Sequence, residues 1–274
     1  MRVVKAFDHA PPSASSNRSQ AMPPKKRSKP SSASSLPSYG TQQYWETRYQ
    51  DGDDHEWYFN YAELSPLLDP ILPATSQGPI DILEVGCGTM PLAPDLATNT
   101  DLNVLAIDYS PACITPLQTD NDIHTLTYKA ADATKLTHET ASIPFIVEKG
   151  TLDAIISDSD TGSATCKKVV AELSRVSCCT GGYIVIISHN NLTTEAGQAW
   201  LEDVIIPGLL QGSPDPLDCF RIEAHVGEEE EDAPEDVMLD GTPAVYIVKK
   251  TRRRRTRVTD VESFERVVVK VNEH

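Results

Sequence analysis

No stretch of this 274-residue chain approaches the roughly 18 apolar residues of a membrane-spanning helix, so no membrane is expected as a partner. Nothing near Met1 has the apolar core of a secretory leader. The cysteines Cys87, Cys113, Cys166, Cys178, Cys179 and Cys219 lack Cys-x-x-Cys spacing, and most fall inside apolar segments. They read as reduced core thiols of an intracellular protein, which argues against a disulfide framework or a zinc site. The seven histidines show no ligand spacing either, so no metal is expected. Positive charge is also short: 24 Lys and Arg against 40 Asp and Glu leave a net charge of -16. Phosphate contacts need clustered Lys and Arg, so an acidic body disfavours nucleic acid as the main ligand. It suits a basic protein as partner.

Apolar residues make up only 39% of the chain, and the deficit lies at the ends. Residues 1–37 are rich in Ser and Pro and carry Arg2, Lys5, Arg18, Lys25, Lys26, Arg27 and Lys29 against one acid, Asp8, so disorder is expected there. Pro23-Pro-Lys-Lys-Arg-Ser-Lys-Pro30 is similar to a nuclear-import signal, although a solvated basic arm is the plainer reading. A mitochondrial transit peptide fits less well, because no clear amphipathic helix accompanies the arm. The expected location is therefore the cytoplasm, with the nucleus second. Residues 38–250 read as one domain, in which residues 38–72 hold about half of the chain's aromatics. Residues 251–274 read as a basic tail, with Thr251-Arg-Arg-Arg-Arg-Thr-Arg257 and a capping-box pattern from Thr259 to Glu262 that could start a short helix.

Apolar periodicity predicts strands at 80–85, 102–107, 124–129, 143–148, 182–188, 218–225 and 243–249. It predicts helices at 41–50, 60–69, 91–98, 111–118, 165–177 and 194–206. This alternation argues for a doubly wound α/β sheet. Only an acidic, Pro-containing segment, Gly227–Asp236, separates the last two strands, so they should pair as an antiparallel hairpin.

The chemistry concentrates at two strand ends. Asp81-Ile-Leu-Glu-Val-Gly-Cys-Gly-Thr89 ends an apolar run in a Gly-x-Gly turn, and Val104-Leu-Ala-Ile-Asp108 ends the next run in an acid. Glycines let a backbone approach a ligand closely, and the acid can accept from ribose hydroxyls, so the pair marks an adenosine-type site. A dinucleotide fingerprint wants a third glycine where this chain has Pro91. A ligand without a pyrophosphate, such as S-adenosylmethionine (SAM), fits better.

At Tyr44-Trp45-x-x-Arg48-Tyr49, Glu56-Trp57-Tyr58, Leu83-Glu-Val-Gly-Cys-Gly88, Asp108-Tyr-Ser110 and Glu148-Lys-Gly-Thr-Leu-Asp153 the sequence resembles one family. This is the class I SAM-dependent protein-lysine methyltransferases that include the elongation factor 1A and mitochondrial citrate synthase enzymes. The resemblance runs from about Tyr39 to Lys250 and implies a seven-stranded Rossmann-like sheet with an N-terminal aromatic lid. It implies that Trp45, Tyr49 and Trp57 close over SAM, as desolvated aromatic faces attract a sulfonium cation. The alternative is that these rings merely pack the first helix onto the sheet.

The resemblance further implies that Gly86 and Gly88 flank the methionine moiety, while Glu84 meets its ammonium or orients the turn. Asp108 would hold the ribose, with Tyr109 beside the adenine. Asp132 would accept from the adenine amino group, and Ala133 would offer its backbone N–H. Lys149 would contact the cofactor, and Glu148 would be the catalytic carboxylate on the acceptor side. Asp153 would shape the loop. The chain departs from the family at Thr89, where Asn is usual, and at Ile143-Pro144, where the relatives have Phe-Asp. A second register is open, because Leu152-Asp-Ala-Ile-Ile-Ser-Asp158 also reads as a strand ending in acids and would leave Glu148 in a loop.

The resemblance implies a SAM-dependent methyltransferase that acts on a protein lysine, with a basic, translation elongation factor-like substrate. A small-molecule methyltransferase and a SAM-binding module without turnover are the alternatives.

Overall fold

A computed structural model describes residues 38–52, 54–226, 243–253 and 266–273. The arm 1–37, the acidic segment 227–236, the capping-box pattern at 259–262 and residues 254–257 of the arginine run lie outside the described residues. Among those described, no helix is long and apolar enough to cross a membrane.

The strands are β1 (Ile82–Val85), β2 (Val104–Asp108), β3 (Leu126–Ala130), β4 (Phe145–Lys149), β5 (Gly182–Ser188), β6 (Asp218–Val226), β7 (Ala244–Arg252) and β8 (Val267–Glu273). They form one sheet in the order β3-β2-β1-β4-β5-β7-β6-β8. The first five strands run parallel, and β7 pairs antiparallel with both β5 and β6, so the expected terminal hairpin is present. Central strands of a parallel sheet are covered on both faces and read as unbroken apolar runs. Accordingly, every residue of β1 and β2 is buried.

The helices are α1 (Gln42–Gln50), α2 (Tyr61–Leu68), α3 (Ala93–Asn99), α4 (Pro111–Asp120), α5 (Thr151–Ile156), α6 (Gly162–Val176), α7 (Glu195–Trp200) and α8 (Ile206–Gly212). They divide between the two faces of the sheet. Leu83, Leu105, Ile146 and Ile184 pack toward α6 and α8 through Val169, Leu173 and Leu209. Ile82, Val104, Phe145 and Val185 face the other way, toward Leu64 of α2, Leu96 of α3 and Ile114 of α4. Burial of each such side chain stabilises the fold by about 1.5–3 kcal/mol.

Three findings refine the sequence reading. The fourth strand ends at Lys149, and Leu152–Ile156, which could have been a strand, lies in α5. Gly150, at φ 74, breaks the extended chain there, and Pro144 lies just before β4 and so costs the ladder no donor. The single helix expected at 194–206 continues to Gly212, with a π-helical turn at Leu201–Ile205 before Pro207, whose ring and missing N–H disturb the preceding turn. The sheet also has one strand more than the seven expected. Val267–Glu273, read from sequence as part of a basic tail, pairs parallel with β6 and leaves Val268, Val269 and Val271 exposed.

Candidate active site

The carboxyl ends of β1 and β2 build a shared turn. Gly86 and Gly88 adopt φ 65 and φ 58, a left-handed conformation that side chains disfavour. A Cβ on Gly86 would also lie 1.9 Å from Thr151 Oγ1, which donates to the Val85 carbonyl at 3.0 Å, so α5 packs directly on this turn. Gly88 N–H donates to Asp108 Oδ2 at 3.2 Å and Ser110 N–H to Oδ1 at 2.9 Å. Burial pushes the Asp108 carboxyl up, partly offset by these two donors. Both oxygens keep lone pairs for further donors.

Glu84 had two roles open. It accepts from Leu92 N–H and Ala93 N–H, each at 2.8 Å, one with either oxygen. It therefore orients the turn into α3, and burial pushes its pKa up to about 7. The Tyr49 hydroxyl lies beside Gly88, and burial followed by the Asp108 charge raises its pKa. Tyr109 stands half-exposed at the rim, its carbonyl accepting from Gln42 Nε2 at 2.7 Å. Asp132 is exposed past β3, where Oδ1 accepts from Thr134 N–H at 2.9 Å and from Thr134 Oγ1 at 2.7 Å. Ala133 follows it and packs partly on the core.

The aromatic segment is one cluster. Tyr39, Tyr44, Trp45, Tyr49, Trp57 and Tyr58 form a chain of neighbouring rings with centroids 5.1–6.4 Å apart. Trp45 is buried and donates from Nε1 to the Tyr39 carbonyl at 2.6 Å. Trp45 and Trp57 already hold a cation: the Arg48 guanidinium lies 5.5 Å and 5.4 Å from their centroids. Lys149 Nζ, at the end of β4, donates to the Glu56 carboxylate and to the Trp57 carbonyl at 2.9 Å, fastening the segment to the sheet edge.

Glu148, expected beside the acceptor amine, is fully buried. Its Oε2 accepts from Thr151 N–H at 3.0 Å and Leu152 N–H at 3.2 Å, capping α5, while its buried Oε1 has no partner among the described residues. Burial first, and then the charge of Asp153, push its pKa well above the usual carboxylate range.

Asp153 was expected only to shape the loop. It gathers four donors from two segments: Tyr58 Oη at 2.8 Å, Ser188 Oγ at 2.6 Å, Asn190 Nδ2 at 2.8 Å and His189 N–H at 3.2 Å. His189 and Tyr58 are the site residues that sequence reasoning missed in this role. The rule that found Asp108, a polar residue just past an apolar strand, points equally to His189 just past β5.

No metal was expected. Ligand atoms of Cys87, Asp108 and Cys113 nonetheless lie within 4.8 Å of one another. The hydrogen bond to Cys113, then burial, raise the Cys87 thiol well above its usual pKa, which disfavours the thiolate a metal would need.

Residues 82–181 match the family described as Methyltransferase domain. EEF1A lysine methyltransferase 4 of Mus musculus is 31% identical over 161 residues, covering 55% of this chain and 62% of its own length. The eEF1A lysine and N-terminal methyltransferase of Xenopus laevis is 29% identical over 153 residues, covering 54% and 22%. The mitochondrial citrate synthase-lysine N-methyltransferase of Homo sapiens is 32% identical over 118 residues, covering 36% and 49%. The chain thus spans less than two thirds of the length of these relatives. Residues 82–181 thus resemble a methyltransferase domain, and the chain is similar to the EEF1A and citrate synthase lysine enzymes over part of its length.

Proposed function

We propose that this chain is a class I methyltransferase that moves a methyl group from SAM to a lysine amine of a basic protein. One observation carries the proposal: Asp132, Asp108, the Gly86–Gly88 turn and Lys149 stand at the carboxyl ends of four adjacent strands, β3, β2, β1 and β4. Neighbouring strands are about 4.8 Å apart, so the row spans about 14 Å, enough for a nucleoside with an amino acid tail. The residues present fit such a ligand. Asp108 has lone pairs left for ribose hydroxyls, and the two left-handed glycines keep the turn free of side chains.

SAM, when bound, supplies a methyl group on a positively charged sulfur that a nitrogen lone pair can displace. The other tasks belong to the chain. Asp108 orients the ribose, and Tyr109, Asp132 and the Ala133 N–H frame the adenine. Gly86 and Gly88 admit the methionine part, on a turn that Glu84 holds. Lys149 clamps Glu56 and Trp57, so that Trp45, Tyr49 and Trp57 exclude water from the reacting atoms. Glu148 caps α5, the helix that carries Asp153. Most of the acceleration then comes from alignment, since a single displacement needs no covalent enzyme intermediate.

The acidic composition and the relatives' names both support a protein acceptor like elongation factor 1A, and with it a cytoplasmic place of action. The test is incubation with labelled SAM and a lysate of the source organism. Label in a protein band supports the proposal. Label confined to small molecules, or no label at all, contradicts it.

A further inference from the structure

Tyr58 occupies φ 62, a left-handed backbone conformation that is strained for a non-glycine residue. Held there, its ring covers Gly150, where a Cβ would lie 3.1 Å from Tyr58 Cε2, and its hydroxyl reaches both Asp153 Oδ2 and, at 3.1 Å, His189 Nδ1. The Tyr58 proton points to Asp153, so its oxygen can only accept from His189. Nδ1 is therefore the protonated ring nitrogen, and Nε2 carries the lone pair. Nε2 makes no hydrogen bond among the described residues, and the His189 side chain is 28% exposed. Asp153 Oδ2 lies 3.4 Å from Nδ1.

Position supports a task beyond latching the aromatic segment. His189 is the first residue past β5, and β5 flanks β4 on the side opposite β1, which bears the glycine turn. Lys149 pairs with Ile187, and Gly150 N–H donates to the Ile187 carbonyl at 3.0 Å, so His189 borders the turn after β4. A cofactor laid across β3 to β4 would have its reacting end between the glycine turn and His189.

Building on the methyltransferase reading above, we infer that His189, oriented by Asp153 and Tyr58, accepts the proton from the methyl-acceptor amine. An N–H bond of the acceptor ammonium breaks, leaving its electron pair on nitrogen, and the proton bonds to His189 Nε2. The nitrogen pair then forms the bond to the methyl carbon as the C–S bond breaks, and that pair goes to sulfur. The methylammonium keeps one positive charge, and the imidazolium returns its proton to solvent.

The charges around the pair suit this step. Burial pushes Asp153 up, but hydrogen bonds from His189, Ser188 and Tyr58 outweigh it and hold the carboxyl below its usual value. Glu148, on β4, is pushed the other way by burial and then by the Asp153 charge. Two neighbouring carboxyls driven apart in this way take different roles. Tyr246 of β7, whose hydroxyl donates to the Asn190 carbonyl, and the buried Cys166 thiol of α6 also face this charge. Burial raises both, followed by Asp153 for Tyr246 and by Glu148 and Asp153 for Cys166. Asp153 stabilises the imidazolium, so the His189 pKa lies above its ordinary value. A lysine amine near 10.4 is still the stronger base in water, and desolvation beneath Trp57 and Tyr58 narrows that gap.

The test combines two readouts on the full chain. NMR titration of the His189 ring should give a raised pKa that falls in Asp153→Asn. The pH profile of kcat with elongation factor 1A at saturating SAM should rise through that same pKa. Asp153→Asn should shift the acid limb to lower pH, and Tyr58→Phe, which keeps the ring over Gly150, should also move it. His189→Gln should abolish the limb and lower kcat by about 10²-fold or more with SAM affinity unchanged. A limb that stays in place in His189→Gln, or variants that lose SAM affinity and kcat in equal measure with an unmoved profile, would reduce the pair to a latch and overturn the inference. Wild-type protein that binds SAM yet methylates no protein lysine overturns the functional reading first, and this inference with it.

Discussion

Lys149 and Glu56 join the end of β4 to the aromatic segment, across 93 positions of sequence, and the Lys149 side chain is only 7% exposed. The same ammonium holds the Trp57 carbonyl at 2.9 Å. Aromatic packing and strand end are therefore one mechanical unit.

Lys149→Met should release the clamp while keeping most of the packed stem. Hydrogen bonds to a charged group contribute about 1.5–3 kcal/mol, so SAM affinity should weaken by about tenfold to a hundredfold. Calorimetry reads this directly. Unchanged affinity would mean that the segment stays closed without the clamp.

Asp108→Ala should lose measurable SAM binding, because both carboxylate oxygens proposed to hold the ribose and the link to the Gly88 N–H go together. Titration with SAM and with its demethylated product checks this. Retained affinity, or a preference for a nicotinamide dinucleotide, would contradict the site.

Trp45 and Trp57 should separate packing from closure. Trp45 is buried, so Trp45→Ala should cost about 3–5 kcal/mol of stability by thermal or denaturant unfolding. Trp57 is half-buried, and Trp57→Ala should lose SAM affinity at a smaller stability cost. If both variants bind SAM as the parent does, the rings only pack.

Glu148→Gln should leave a pH signature in stability. Burial raises the folded pKa of Glu148 above its ordinary 4.5, so the stability this group contributes is whole below that value and is lost as pH rises through the folded pKa. Gln carries no proton to lose, and its oxygen can still accept from Thr151 and Leu152. The variant should therefore match the parent near pH 4 and gain on it steadily above pH 4.5 in melting experiments. Turnover should change little. A large loss of kcat at unchanged SAM affinity would give Glu148 a direct part in the chemistry.

The parallel strands were legible because their apolar runs reflect burial on both faces, and the glycine turn and Asp108 because strand ends carry the chemistry. The register of the fourth strand was ambiguous, since Leu152-Asp-Ala-Ile-Ile suits a strand or a short helix equally. Gly150 and the capping by Glu148 decide it, and both act through three-dimensional geometry. Asp153 and His189 are 36 positions apart and bear no spacing signal, so only the meeting of α5 with the end of β5 reveals them. In β8, Val267-Val-Val-Lys-Val271 was overshadowed by the arginines before it, and its pairing with β6 depends on a partner distant in the chain. The rings were visible from composition, but Arg48 over them was not, because its place depends on how α1 meets the residues around Trp57.

Mass spectrometry of elongation factor 1A after incubation with this protein and SAM tests the central claim most directly. The account predicts one or more methyl groups on a lysine side chain, absent when Asp108→Ala replaces the parent. Methyl groups found only on arginine, on a carboxylate or on a metabolite, and never on a protein lysine, would contradict it.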